Sequence, residues 1–196
     1  MSKWKVLVLT VTVAVVSGLV AVTVNNRLSV PAKDSVDVGF LQDMITHHQQ
    51  AVQLGSVGAE ISTDPTTRHF AQEALISQQY EVGYMTAILE SWGFGTGDQN
   101  RDAMAWMGAP IAVDDMPGML TTDQLNSYRE MSGDEANKAF LQLMAEHHRG
   151  GLHMAVYASK HASDERVRAL AARIAKNQRS ELAEYARAAE SLGFEL

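Results

Sequence analysis

The sequence predicts an all-α protein: a four-helix bundle made from a duplicated helical hairpin, preceded by one N-terminal transmembrane or signal helix. Three observations carry this expectation. An uncharged run rich in Val and Leu opens the chain. The rest repeats itself with a period of 100 residues. Each copy spaces its apolar residues at helical intervals.

The opening run extends from Val6 to Val24, with Lys3 and Lys5 before it. Its 19 residues at about 1.5 Å each span roughly 28 Å, close to the thickness of a bilayer core. The flanking lysines orient the N-terminus inward. The run is longer than the ~7–15 residues of a usual signal core. That favours an uncleaved signal anchor over residues 1–26, followed by a tether at 27–36. A signal peptide cleaved near Ala21-Val22-Thr23, releasing a secreted body, is the alternative. Both place the body outside the cytoplasm, at the cell surface or in the periplasm.

Sliding the chain by 100 residues aligns Phe40-Leu41-Gln42 with Phe140-Leu141-Gln142, Met44 with Met144, and His47-His48 with His147-His148. Asp64/Asp164, Arg68/Arg168, Gln78/Gln178 and Glu81/Glu181 follow without insertion, as far as Phe94/Phe194. One register held over 55 positions points to a duplicated hairpin rather than a solenoid. In the first copy Phe40, Met44, His47, Ala51, Leu54 and Gly58 recur at steps of four and three, a broad apolar helix face. Asp64 then suits an N-cap, Pro65 a first helical position, and Gly93 a stop. The second copy opens with Ser132 and Glu135 at capping-box spacing, turns near Ser163-Asp164-Glu165 and stops at Gly193. The bundle thus covers 37–194, with repeats at 37–94 and 134–194 and a crossover linker at 95–133. Thr121 and Gln124 are placed to cap a short helix reaching Met131.

Composition narrows the chemistry. The 196 residues carry a net charge of −7 and no basic cluster in the body, which excludes nucleic acid as a partner. There is no cysteine, so disulfides, thiolate metal sites and iron–sulfur clusters are excluded. A soft metal ligand must be methionine, and a borderline one histidine.

Four of the seven histidines sit in the two pairs. With each hairpin turning near residues 63 and 163, His48 falls level with Gln78 and His47 within a turn of Glu81; His148, Gln178, His147 and Glu181 repeat the pattern. Two such clusters facing each other at mid-bundle make a metal site, because bundles build such sites on inward faces. Adjacent helical residues point about 100° apart, so one histidine of each pair faces inward and its neighbour serves a second site or a hydrogen bond. Glu81 and Glu181 are placed to orient imidazoles or to bind directly. Met44 and Met144 accompany either histidine. Met104, Met107, Met116 and Met119 in the linker, with His153 and Met154, extend the candidate donors, and thioether sulfur selects Cu(I). Methionine also fills irregular gaps, so packing is the plainer role for the linker methionines. His69 and His161 lack counterparts in the other copy and read as surface residues.

An enzyme is not indicated. No Glu has a His three residues later, as carboxylate di-iron bundles require. G-x-S-x-G, P-loop and H-E-x-x-H motifs are absent.

These motifs resemble the domain of unknown function 305 family, whose hallmark F-x-x-x-M-[I]-x-H-H-x-x-[A], the bracketed positions being variable, occurs twice. Here it is matched by Phe40 to Ala51 and by Phe140 to Gly151. The later Q-x-x-E resembles Gln78–Glu81 and Gln178–Glu181, and a G-M element is similar to Gly118-Met119. The resemblance implies a ferritin-like four-helix bundle, exported or membrane-anchored, with some members linked to copper binding and tolerance. Met44, His47, His48, Met144, His147 and His148 match the pattern. Asn137 stands where the family often has the Asp seen at Asp37, and Leu54-Gly55 replaces the M-A kept at Met154-Ala155.

The reading that follows is an extracytoplasmic transition-metal binding protein, copper being the favoured ion, acting in sequestration, tolerance or metal hand-over. The metal ion, and the membrane through the N-terminal helix, are its expected partners. The alternatives are a structural bundle whose His pairs form hydrogen-bond networks, and a metal-dependent redox enzyme on the same site.

Overall fold

The apolar periodicity of the two copies becomes four long helices and one short one. They are α1 (Val36–Ile61), α2 (Pro65–Ser91), α3 (Thr122–Arg129), α4 (Gly133–His161) and α5 (Glu165–Ser191). A computed structural model describes residues 30–196 together with Trp4, Thr12, Val16 and Ser17. Apart from those four, the membrane or signal segment expected over 1–26 lies outside the described residues. No helix among the described residues is long and apolar enough to cross a membrane.

The helix boundaries follow local chemistry. The Asp64 side chain caps α2 by accepting from the Thr67 backbone N–H, with Pro65 at the first position. Asp164 caps α5 through the Arg166 N–H. Gly93 and Gly193 follow the last turns at φ +80° and +79°, a conformation that suits glycine. Thr121 and Gln124 form a reciprocal capping box on α3. The expected box at α4 does not form. Ser132 occupies the N-cap but makes no side-chain cap bond, because Gly133 enters the helix at φ +59° and swings the chain away from it.

Within each hairpin the helices pack along their lengths, and α1 packs on α4 to join the halves. The interior is divided in two. One core joins the start of α1, the end of α2, the end of α4 and the start of α5, through residues such as Phe40, Met85, Met154 and Leu170. The other joins the opposite ends, through Leu54, Ala74, Phe140 and Tyr185. The His, Gln and Glu residues singled out by the duplication sit at the level between them.

Two buried side chains tie the halves reciprocally. Asp37 accepts from the Ser163 and Asp164 backbone N–H groups at 3.0 and 2.7 Å, holding the α4–α5 turn. Its counterpart Asn137 does the same for the α1–α2 turn, accepting from Thr63 and Asp64 at 2.9 and 3.2 Å. Asn137 also donates to Thr63 Oγ1 at 3.0 Å, a bond an ionised Asp is unable to make.

The crossover is anchored by buried Asp43. Its carboxylate accepts from the Arg101 guanidinium at 2.8 Å, and from Met104 N–H and Trp106 Nε1–H at 2.7 Å. A single antiparallel bridge, Ala103 with Ile111, closes the loop so held. Further on, Gln50 grips Leu120 through both its backbone groups, accepting at 2.6 Å and donating at 2.8 Å. This stretches Met116–Leu120 as a strap across the middle of the bundle.

Candidate metal centre

The two His pairs stand on α1 and α4, the central helices, and all four imidazoles are fully buried. Because neighbouring residues on a helix diverge by about 100°, each pair splits. His47 and His147 face each other across the α1–α4 contact, with ring centroids 3.8 Å apart. His48 and His148 turn toward α2 and α5. There His48 Nε2–H donates to Glu81 at 2.9 Å and His148 Nε2–H to Glu181 at 2.6 Å. The carboxylate thus serves the second histidine of each pair, not the first.

These bonds fix the tautomers. A carbonyl or carboxylate only accepts, so the ring nitrogen facing it must carry the proton. Nε2 of His48, of His148, and of His47, which donates to the Pro117 carbonyl at 3.1 Å, is therefore the protonated nitrogen. For His47, kept neutral by burial, this leaves Nδ1 with a bare lone pair. The Nδ1 atoms of all four histidines are buried without a hydrogen-bond partner, as is Nε2 of His147. Buried polar atoms are normally satisfied, so such a cluster calls for an explanation.

Electrostatics keep the central pair neutral. Burial, reinforced by the neighbouring His48, pushes His47 down to about 3, against a smaller lift from the Pro117 carbonyl bond. Burial likewise holds His147 well below the ordinary imidazole range, with His47 and His148 adding to the effect. The His47 backbone approaches the His147 ring and offsets a little of this, without reaching hydrogen-bond geometry. Neutral imidazole is the metal-binding form.

The layer has two lids of different kinds. On one side runs the Met116–Leu120 strap. The Pro117 carbonyl lies directly against Gly150, where any side chain would collide with it, and Gly118 passes over the His147 backbone at φ +85°. On the other side, between α2 and α5, a polar cleft of about 10 Å³ is lined by His48, Gln78, Glu81, Gln178 and Glu181. That is room for about one water-sized guest. Gln78 and Gln178 are 5% and 3% exposed, and each holds an unpartnered amide atom at the cleft.

The structure therefore brings together His47, His48, His147, His148, Gln78, Gln178, Glu81 and Glu181. It does not bring in all the other candidates. Met44 and Met144 are fully buried but lie in opposite cores. Met116 and Met154 pack in the core with Met44, and Met119 lies against it. Met104 joins that core too, and Met107 lines its edge. His153 points to solvent, as do His69 and His161. Among the described residues, no three His, Asp or Glu side chains are arranged to enclose a metal ion. The donor chemistry fits a transition metal; the rings as they stand do not form a coordination shell.

Three features of the site were not singled out in the sequence. The Pro117 carbonyl has no side-chain signature. Tyr185 packs 5.5 Å from the His148 ring, its hydroxyl pushed up by burial and then by the carboxylates of Glu181, Glu73 and Glu184. The mid-helix pair Gly150-Gly151 did carry a signal, since glycine there is unfavourable unless backbone must approach closely.

The profile of the family described as "Domain of unknown function (DUF305)" matches residues 37–189. Solved structures share the fold. A DUF305 protein from Streptomyces coelicolor, provisionally described as secreted, is 32% identical with a TM-score of 0.78, covering 84% of this chain and 98% of its own. A DUF305 fragment from Deinococcus radiodurans is 28% identical at a TM-score of 0.67, covering 81% of this chain and 95% of its own. CopM in its Cu(I)-bound form superposes at a TM-score of 0.60 with 17% identity, over 80% of this chain and 97% of its own. No curated protein matches the chain.

Proposed function

The chain belongs to the DUF305 family, and from that premise we propose that its buried histidine layer binds a transition metal, copper being the favoured ion, for sequestration or hand-over. The observation that carries this is the set of buried Nδ1 atoms on His47, His48 and His148 that have no hydrogen-bond partner, each on a ring oriented by an oxygen that its Nε2–H meets. A ligating histidine commonly gives its other N–H to a carboxylate or carbonyl in this way. Glu81 and Glu181 orient the outer imidazoles, and the strap carbonyl orients His47. Met44 and Met144, three residues before each pair, lie buried in the two opposite cores, and their thioethers are donors of the kind that favours Cu(I). CopM, of the same fold, holds copper in both oxidation states. The lysine-flanked leader and the Streptomyces relative support a place outside the cytoplasm.

Metal analysis of the purified full chain after exposure to Cu, Zn, Ni and Fe tests the reading. The expected outcome is stoichiometric copper, lost in the His47→Ala/His147→Ala variant. Absence of stoichiometric metal, or binding indifferent to that substitution, overturns it.

A second reading is favoured by the arrangement of the described residues, among which no three His, Asp or Glu side chains converge. In it the layer is a polar network that sets the register between two apolar cores. It predicts that the same substitutions destabilise folding while chelators change nothing.

A further inference from the structure

The duplication is nearly faithful at the His–Gln–Glu layer, and it breaks on the surface above that layer. Helices α2 and α5 run side by side over the inner cleft without close backbone packing. Outside the cleft an open groove of about 410 Å³ lies between them, lined by Glu73 and Ile76 from α2 and by Ser180, Glu181 and Glu184 from α5. Ser77, Asn177 and Glu181 line both the groove and the inner cleft, so the two adjoin across these side chains.

The two ends of this passage differ in charge. Exact repetition would place the same residue at 73 and 173, and at 84 and 184. Instead Glu73 pairs with Arg173 in the repeat, and Tyr84 with Glu184. The open end therefore carries Glu73 and Glu184. At the other end the Arg173 guanidinium lies 5.7 Å from the centre of the Tyr84 ring, a cation–π contact that puts a positive charge there. Exposure falls in steps along the passage. The Glu181 side chain is 30% exposed, that of Glu81 11%, and His48 is sealed. At its inner end the carboxamide of Gln178, 3% exposed, has neither amide atom partnered, and Nδ1 of His48 is also free.

We infer that the acidic end of the α2–α5 groove is the access route by which a cation reaches the histidine layer, with Glu181 as the carboxylate that receives it at the junction. This rests on the metal-binding reading above and gives it a direction. Glu73 and Glu184 concentrate cations at the mouth. Glu181 faces the groove while its Oε2 holds His148. It can therefore hand a cation inward to the free imidazole nitrogens and free carboxamides of the cleft. The strap face offers no such passage, because Pro117 and Gly118 lie directly on α4.

The test is the rate at which the full chain takes up aqueous Cu(II), followed in a stopped-flow instrument by quenching of tryptophan fluorescence, with bound copper measured at the endpoint. In the Glu73→Gln/Glu184→Gln variant the association rate at low ionic strength falls about tenfold and its salt dependence flattens, as expected for lost steering. Endpoint copper stays as in the unmodified chain. Asp114→Asn/Asp115→Asn, on the exposed strap side, leaves the rate unchanged. Since the chain has no cysteine, Ser77→Cys provides a unique label site. A bulky maleimide there blocks uptake, whereas a carbamidomethyl group does not. Equal rates in all variants with full endpoint copper overturn the route alone, as does slowing by the strap-side variant instead. No copper at the endpoint in the unmodified chain overturns the metal reading, and the route with it.

Discussion

His47 shows how burial shapes the chemistry of a single residue. Its ring is sealed between α1, α4 and the strap, so the charged form is disfavoured and the folded value drops to about 3 from the ordinary 6.5. The unfolded chain takes up a proton below about 6.5 that the folded protein refuses until about 3. Stability is thus fully present above 6.5 and is lost as pH falls through that window. The slope is about 1.4 kcal/mol per pH unit for each such histidine. His147, shifted the same way, steepens the loss. Urea unfolding of the metal-free protein at pH 7, 6 and 5 checks this, and a stability that is flat or rises with acid contradicts it. Gly150 is the second residue with a sharp consequence. A methyl group there collides with the Pro117 carbonyl backbone. Gly150→Ala should therefore lift the strap, break its bond to His47 and destabilise the fold by about 1–3 kcal/mol. Loss of stability with the strap still closed in a crystal structure of the variant would count against this.

At the scale of elements, the two hairpins are held by what Asp37 and Asn137 accept. Each satisfies two backbone N–H groups at the other hairpin's turn. Asp37 accepts with both carboxylate oxygens, Oδ2 from Ser163 and Oδ1 from Asp164, so Asp37→Asn turns one acceptor into an NH2 donor and should cost about 1–3 kcal/mol. Asn137→Leu strands two N–H groups, at about 1–3 kcal/mol each. Thermal unfolding of the two variants compares them directly; equal losses would contradict this count of lost acceptors. The same scale shows what was legible in the sequence. Helix lengths, caps at Asp64 and Thr121, and the mid-bundle level of the histidines follow from periodicity and a turn near residue 63. That level alone was unable to say which histidine meets Glu81. The answer lies in rotation about the helix axis: the α1 face that packs on α4 is the one bearing His47, which leaves His48 for α2. The strap was illegible for a different reason. Irregular backbone held by Gln50 and by the Pro117 carbonyl on His47 carries no periodic signal, and only Gly150-Gly151 hinted at its landing place.

Across the described bundle, two apolar cores are separated by one polar layer, and duplication has written that layer twice. Its imidazoles are neutral or hydrogen-bonded to carboxylate, its Nδ1 atoms are unpartnered, and an acidic groove adjoins it between α2 and α5. Neutral donors behind an anionic mouth suit a cation that is taken up and released, and the absence of cysteine leaves nitrogen, oxygen and thioether as the donors. The most direct test of metal binding at this layer is the electron spin echo envelope modulation spectrum of the full chain loaded with one equivalent of Cu(II). Modulation from the remote nitrogen of a coordinated imidazole is predicted, weakened in His48→Ala and in His148→Ala. Copper that shows no imidazole modulation, or modulation unchanged in both variants, would contradict the assignment.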